Sequence, residues 1–269
     1  MHISEIQNRI QNAKDLDFGT VFNDSIELFK KVWVQGLVTV LLNIVMAIPV
    51  VMVIYIPLFF LGFFDFYTSG YDPYNPYDYY DPYSRPSFGP MFLLVMIPLY
   101  LFAIAAMSTI AFGLQAAFYR ICKMKDFNEM GREDYFYFFK KPYLGKTVKL
   151  GLAFVGIIII AYLLCILPIF YAIVPLYYMY VVYAFNPEKS VSEIINISFG
   201  IGNKKWLISF GLLFVAGFLA TIVGILMCFV GIYVTRSFIM LPTYNIYKDV
   251  VGFDNNEGDS LQTVGDVKF

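Results

Sequence analysis

The sequence predicts an all-α, polytopic integral membrane protein with about six transmembrane helices in three hairpins, plus interfacial amphipathic helices. Three observations predict it. Of the 269 residues, 59% are apolar and 14% charged, against roughly 25% charged in soluble globular domains. Four apolar runs, near 33–64, 90–119, 150–185 and 206–247, each exceed the about 20 residues with which a helix crosses a bilayer. Lys and Arg are gathered into a few of the intervening segments, the asymmetry that orients membrane proteins.

The first thirty residues, MHISEIQNRIQNAKDLDFGTVFNDSIELFK, are polar and amphipathic. They have no apolar core and no small-residue cleavage site, so they do not read as a signal peptide, and the first apolar segment is expected to stay in the mature chain. Phe22, Ile26, Phe29 and Trp33 share one helical face, with Asn23, Asp24, Glu27, Lys30 and Lys31 elsewhere, which predicts a helix lying in the membrane interface. The first crossing, about 35–63, contains Pro49 and Pro57. After an external loop over 65–89, the second crossing, about 91–118, ends at the interfacial pair Tyr119-Arg120.

The third run, 150–185, has 36 residues; as one straight helix it would be about 54 Å long against a hydrocarbon core of about 30 Å. Pro168 at its midpoint and Pro175 beyond it divide it into crossings near 149–167 and 169–185. The fourth run divides likewise, around Gly224 to Gly231, into crossings near 206–225 and 228–247. Between these pairs, Val191, Ile194, Ile195 and Phe199 form a second amphipathic stretch, and Ser190 and Glu193 have capping-box spacing, which gives that helix a start. Residues 1–252 thus form a single membrane domain, followed by a polar C-terminal tail over 253–269.

Charge fixes the count and the orientation. Segment 120–149 holds Arg120, Lys123, Lys125, Arg132, Lys140, Lys141, Lys146 and Lys149, so the loop over 120–148 is expected to be cytoplasmic. Arg9, Lys14, Lys30 and Lys31 before the first run, and Lys189, Lys204 and Lys205 before the fourth, belong on the same side. Six crossings, with both termini inside the cytoplasmic membrane of a bacterium, satisfy every loop; five would leave one basic flank outside. The loop YDPYNPYDYYDPYSRP (71–86) carries a single basic residue, Arg85, and belongs opposite. Its prolines Pro73, Pro76, Pro82 and Pro86 deny it a regular helix, and its tyrosines suit a solvated or interfacial tether.

A weak repeat introduces each hairpin with a double lysine and an aromatic: FKKVW at 29–33, FKKPY at 139–143 and NKKW at 203–206. Lys30, Lys31, Lys140, Lys141, Lys204 and Lys205 are therefore candidate contacts to anionic lipid head groups, although paired basic residues are also ordinary topology anchors. The order LPIFYAIVPLYYMYVVYAFNPEKSVSEIINISFGIGNKKW, an apolar hairpin with Gly224 and Gly231, then LPTYNIYKDVVG, resembles the bacterial membrane families related to the membrane domain of glycerophosphoryl diester phosphodiesterases. The resemblance covers about 145–252, implies a fold rather than an active site, and brings no phosphodiesterase domain. Similar proteins of Bacteroidetes-like bacteria sometimes carry a beta-carotene monooxygenase label. That chemistry implies histidine-ligated iron, and with His2 as the one histidine the label is rejected.

Other chemistry is thin. The near-zero net charge gives no reason to expect a nucleic acid partner, and Cys122, Cys165 and Cys228 have no metal or redox spacing. No nucleophile with its base, glycine loop or metal cluster is apparent, so the chain is expected to be non-enzymatic, without catalytic residues, metal or cofactor. Arg236, in GIYVTRSFIMLP, is the exception. A charge near the middle of a membrane helix is expected to face protein or water and to be paired, yet no Asp or Glu lies within the six crossings. Its partners are expected to be carbonyls, Asn43, Gln115, Asn245 or an external anion, unless it simply lies nearer an interface or caps carbonyls freed by Pro242. The expected role is a module that organises lipid or a membrane protein partner within the bilayer; the alternative is a small-molecule or lipid transporter.

Overall fold

The computed structural model describes residues 1–68, 90–164, 167–227 and 231–253, and among these the chain is helical with no strand. Most of the external loop and nearly all of the polar tail lie outside the described residues. Five helices are long and apolar enough to cross a membrane: Phe18–Phe60, Phe92–Asp126, Lys141–Leu163, Leu167–Phe185 and Trp206–Leu226.

A short amphipathic helix, α1 (Ile3–Gln11), buries Ile6 and Ile10. The next, α2, runs unbroken over Phe18–Thr68. Asp17 opens it by accepting hydrogen bonds from the Thr20 amide and hydroxyl at 2.7 and 3.0 Å, and those donors hold its carboxyl below the ordinary range. The separate interfacial helix expected before the first crossing is therefore absent: its residues form the opening turns of α2. Nor is Phe22, Ile26, Phe29 and Trp33 the buried stripe. Val21, Ser25, Leu28 and Val32 are buried, while Trp33 is exposed. Phe22 and Phe29 both lean edge-on against Phe238, with ring centroids at 5.9 and 5.5 Å, so protein occupies much of the face assigned to lipid. Pro49 and Pro57 sit inside α2 without ending it.

Helix α3 (Pro90–Asp126) packs along α2, and α4 (Lys141–Leu163) packs along α3. A 3-10 turn at Tyr137–Phe139 leads into α4, which begins about eight residues before the expected crossing because Pro142 suits a first helical turn. Helix α5 (Leu167–Phe185) is the most enclosed of the five spans. Helix α6 (Val191–Lys204) starts with the expected capping box, Ser190 and Glu193. Its buried residues are Ile194, Ile197, Ser198, Ile201 and Gly202, and the helix packs mainly against α5 and α1. Like the start of α2, this amphipathic helix lies against protein.

Helix α7 (Trp206–Leu226) agrees closely with expectation. The expected sixth crossing is not one helix. It consists of α8 (Gly231–Thr235), a 3-10 segment over Arg236–Met240, and α9 (Leu241–Val250). At about 1.5 Å per α-helical and about 2.0 Å per 3-10 residue this path is about 32 Å long, enough to cross the hydrocarbon core. Every residue from Leu241 to Tyr247 is buried, against α2, α5 and α7.

Polar contacts tie the basic ends together. Lys248 and Tyr244 of α9 reach Asp126 at the end of α3, at 2.6 and 3.1 Å. Arg120 donates to the Ala184 carbonyl at 3.2 Å and lies 4.1 Å from the centroid of the Tyr137 ring. Arg9 of α1 donates to the Val251 carbonyl at 2.6 Å, where the chain turns through Gly252 at φ +75°. The start of α2 and the ends of α3, α5 and α9 therefore share one end of the bundle.

Candidate functional site

Residues of six helical elements line a cavity of about 570 Å³ that is partly open to the exterior. Its depth follows from helix geometry. The lining residues Gly36, Phe118, Phe154 and Tyr180 each stand five positions inward from Lys31, Lys123, Lys149 and Phe185 respectively, about 8 Å at about 1.5 Å per residue. Ile44, Ala111, Ile158 and Ile169, also in the lining, lie about 14 to 24 Å inward by the same measure. The space thus begins just inside the basic end and extends toward the middle of the spans.

Its chemistry is divided. Thr39, Asn43, Gln115, Tyr177, Tyr180, Arg236 and Ser237 bring polar groups, whereas Ile44, Ile158, Ile169 and Ile173 make an apolar wall. Among the described residues Arg236 is the one charged side chain in the lining. It opens the 3-10 segment between α8 and α9, and Ser237 beside it is pressed against Gly36 of α2, where there is no room for even a methyl group. This close approach of α2 to the segment sits beside Arg236, which lines the cavity.

Among the described residues no carboxylate pairs with Arg236 and no hydrogen bond satisfies it. Asn245 is occupied elsewhere, donating to Ser25 at 3.0 Å. Asn43 shares the cavity but donates to the Thr39 carbonyl at 3.0 Å. Gln115 also shares it, and its Nε2 is buried with no partner. Arg236 acts electrostatically on the Tyr177 and Tyr180 phenols, and neither hydroxyl has a hydrogen-bond partner among the described residues. The Tyr180 ring is clamped by Phe112 and Phe154, at centroid distances of 4.8 and 5.1 Å. A guanidinium, a free amide N–H₂ and two phenols thus line one space, a set rich in donors and, among the described residues, free of negative charge.

The six paired lysines are not part of this cavity. Lys30 forms an ion pair with Glu27 on the exposed side of α2, and Lys31 beside it is exposed. Lys140 pairs with Asp134; Lys141 and Lys204 are exposed. Lys205 departs from the expected role, because it is 5% exposed and its ammonium donates to the Lys14 and Ala13 carbonyls at 2.6 and 3.4 Å. It fastens the α1–α2 connection instead of reaching a head group.

Sequence reasoning found Arg236 by its charge, and Asn43 and Gln115 as polar residues in apolar runs. It missed Tyr177 and Tyr180, since tyrosines within an aromatic-rich helix look the same whether they pack or line a site. It also missed the latch over the segment after α3. There Glu133 accepts from Gln35 at 2.9 Å and from Lys125 at 2.7 Å. Burial opposes ionisation of Glu133, but these partners outweigh it and hold the carboxyl below its ordinary range. Gln35 adjoins Gly36, so the latch sits beside the shallow end of the cavity. Comparison of the chain with protein-family models, curated proteins and solved structures returned no match.

Proposed function

We propose that this chain is a non-enzymatic membrane module that holds an anionic lipid at Arg236 and so organises lipid, or a membrane protein partner, around itself. The observation that carries the proposal is an arginine without a counter-charge in a cavity that is polar at Arg236 and apolar along its isoleucine wall. Arg236 is exposed toward the open cavity, and an anionic head group would give its guanidinium a counter-charge and paired hydrogen bonds. The resemblance of residues 145–252 to the membrane domain of glycerophosphoryl diester phosphodiesterases agrees with a structural rather than a catalytic role.

The test is lipid analysis of protein purified from native membrane. Wild type retains an anionic lipid near one per chain, and Arg236→Ala loses it; equal retention by both sinks the proposal. A transport reading has one observation in its favour, the break between α8 and α9 beside the cavity, since discontinuous helices line the sites of many transporters. Substrate-dependent flux in vesicles would favour it.

The proposed location is the cytoplasmic membrane of a bacterium, with both termini inside. The gathering of Lys125, Lys146, Lys205 and Lys248 at the end of the bundle that also holds α1 and α9 supports that orientation. A periplasmic reporter active after residue 205 and silent after residue 80 would overturn it.

A further inference from the structure

We infer that the occupant of the cavity is a single-chain amphiphile with one negative charge, its head group at Arg236 and its tail along the wall made by Ile44, Ile158 and Ile173. The inference rests on the anionic-lipid reading above and narrows it.

Charge sets the head group. Arg236 is the one ionisable cation in the lining, which holds no Asp, Glu or Lys. A monoanion matches the single positive charge of the lining, whereas a doubly charged phosphate monoester would leave one charge without a partner among the described lining residues. A carboxylate or a phosphodiester suits the fork of the guanidinium, and the Gln115 Nε2, buried without an acceptor, supplies a further donor.

Volume sets the tail. At about 30 Å³ for each non-hydrogen group, roughly that of a water molecule in the liquid, a cavity of about 570 Å³ holds about 19 of them. A fatty acid such as palmitate has about 18 non-hydrogen atoms on that scale, while a diacyl phospholipid, with about 50, needs well over twice the space. The distribution of the lining agrees with this. The isoleucine wall deepens away from the basic end, so a tail entering beside Arg236 runs toward the middle of the spans. A free fatty acid matches that count, whereas a monoacyl phospholipid, with about 32 non-hydrogen atoms, exceeds it on the same scale, and the experiment includes both.

The full chain, stripped of lipid in detergent, is titrated with palmitate, lysophosphatidylglycerol, hexadecanol and dioleoylphosphatidylglycerol, and occupancy is read by native mass spectrometry. The expected result is one bound palmitate, with lysophosphatidylglycerol and hexadecanol each at least tenfold weaker. Arg236→Gln weakens the preferred ligand at least tenfold, and Lys31→Gln, outside the cavity, does not. Tighter, Arg236-dependent binding of lysophosphatidylglycerol overturns the size limit set by the cavity and leaves the anionic-lipid reading standing. Tighter, Arg236-dependent binding of the diacyl lipid overturns the single-chain inference and leaves the anionic-lipid reading standing. Equal binding of hexadecanol and palmitate, no effect of Arg236→Gln, or no binding of any probe overturns both. Should Arg236→Gln fail to fold, Ile173→Trp, which keeps the arginine and fills the tail region, decides the tail's place. Palmitate binding falls while octanoate binding persists; unchanged palmitate binding refutes the assignment.

Discussion

Substituting Gly36 by alanine tests the contact between α2 and the 3-10 segment that carries Arg236. Gly36 is buried on α2, and a methyl group there overlaps both the Cβ and the Oγ of Ser237 and lies 3.6 Å from the Phe118 ring. Overpacking of this kind costs about 1–3 kcal/mol, and the gain in helix propensity from glycine to alanine returns about 1 kcal/mol. Because the overlap includes a Cβ, which cannot rotate away, the 3-10 segment must move, and the net loss is expected to be about 2 kcal/mol. Thermal unfolding of the purified protein should show a Tm lower by about 4–8 °C, at about 2–4 °C per kcal/mol for a chain of this size. Removing the overlapped atoms with Ser237→Gly should rescue the alanine variant, although alone it loses the Ser237 hydroxyl bond to the Val234 carbonyl at 3.1 Å. The double-mutant coupling is expected to exceed about 0.5 kcal/mol in the favourable direction. A Gly36→Ala protein as stable as wild type, or effects that simply add, would refute the argument.

Three further outcomes follow from other contacts. Tyr119 is fully buried and its hydroxyl reaches the Met240 carbonyl at 3.1 Å and Thr243 Oγ1 at 2.8 Å. Tyr119→Phe should cost about 1 kcal/mol in denaturant unfolding, the low end, because Thr243 still donates to Met240. Lys205→Met strands the Lys14 and Ala13 carbonyls, so hydrogen exchange over Ile3–Gln11 should quicken while Lys31→Met leaves it unchanged. Glu133 has a folded-state pKa below its ordinary 4.5, so its contribution is full above that value and is lost as pH falls through the folded one. Proteolysis within 127–136 should increase on acidification below pH 4.5 in wild type, and Glu133→Gln should show no such dependence.

Much of the helical framework was legible because its boundaries are local. Lys205 and Trp206 mark the start of α7, Pro168 falls at the start of α5, and Ser190 with Glu193 caps α6. The misplaced features depend on distant neighbours. The polar residues Asn23 to Lys31 read as a separate interfacial helix, yet nothing in them breaks the helix, and Phe238, more than 200 positions later, covers their apolar face. The sequence around Arg236 has no glycine or proline at the α8 break, so a continuous crossing was the local expectation. Ser237 pressed on Gly36 accompanies the break, a contact that no local pattern encodes. The cavity itself depends on the rotation of six elements about their axes, which is why Arg236 stood out by charge while Tyr177 and Tyr180 did not.

The most direct test of the central claim is a density map of the full chain purified from native membrane without added ligand. The account predicts elongated density in the cavity, with one polar end in hydrogen-bond reach of the Arg236 guanidinium and the remainder along Ile158 and Ile173. A cavity holding only water, or an Arg236 side chain turned out of it onto a protein carboxylate, would contradict the account.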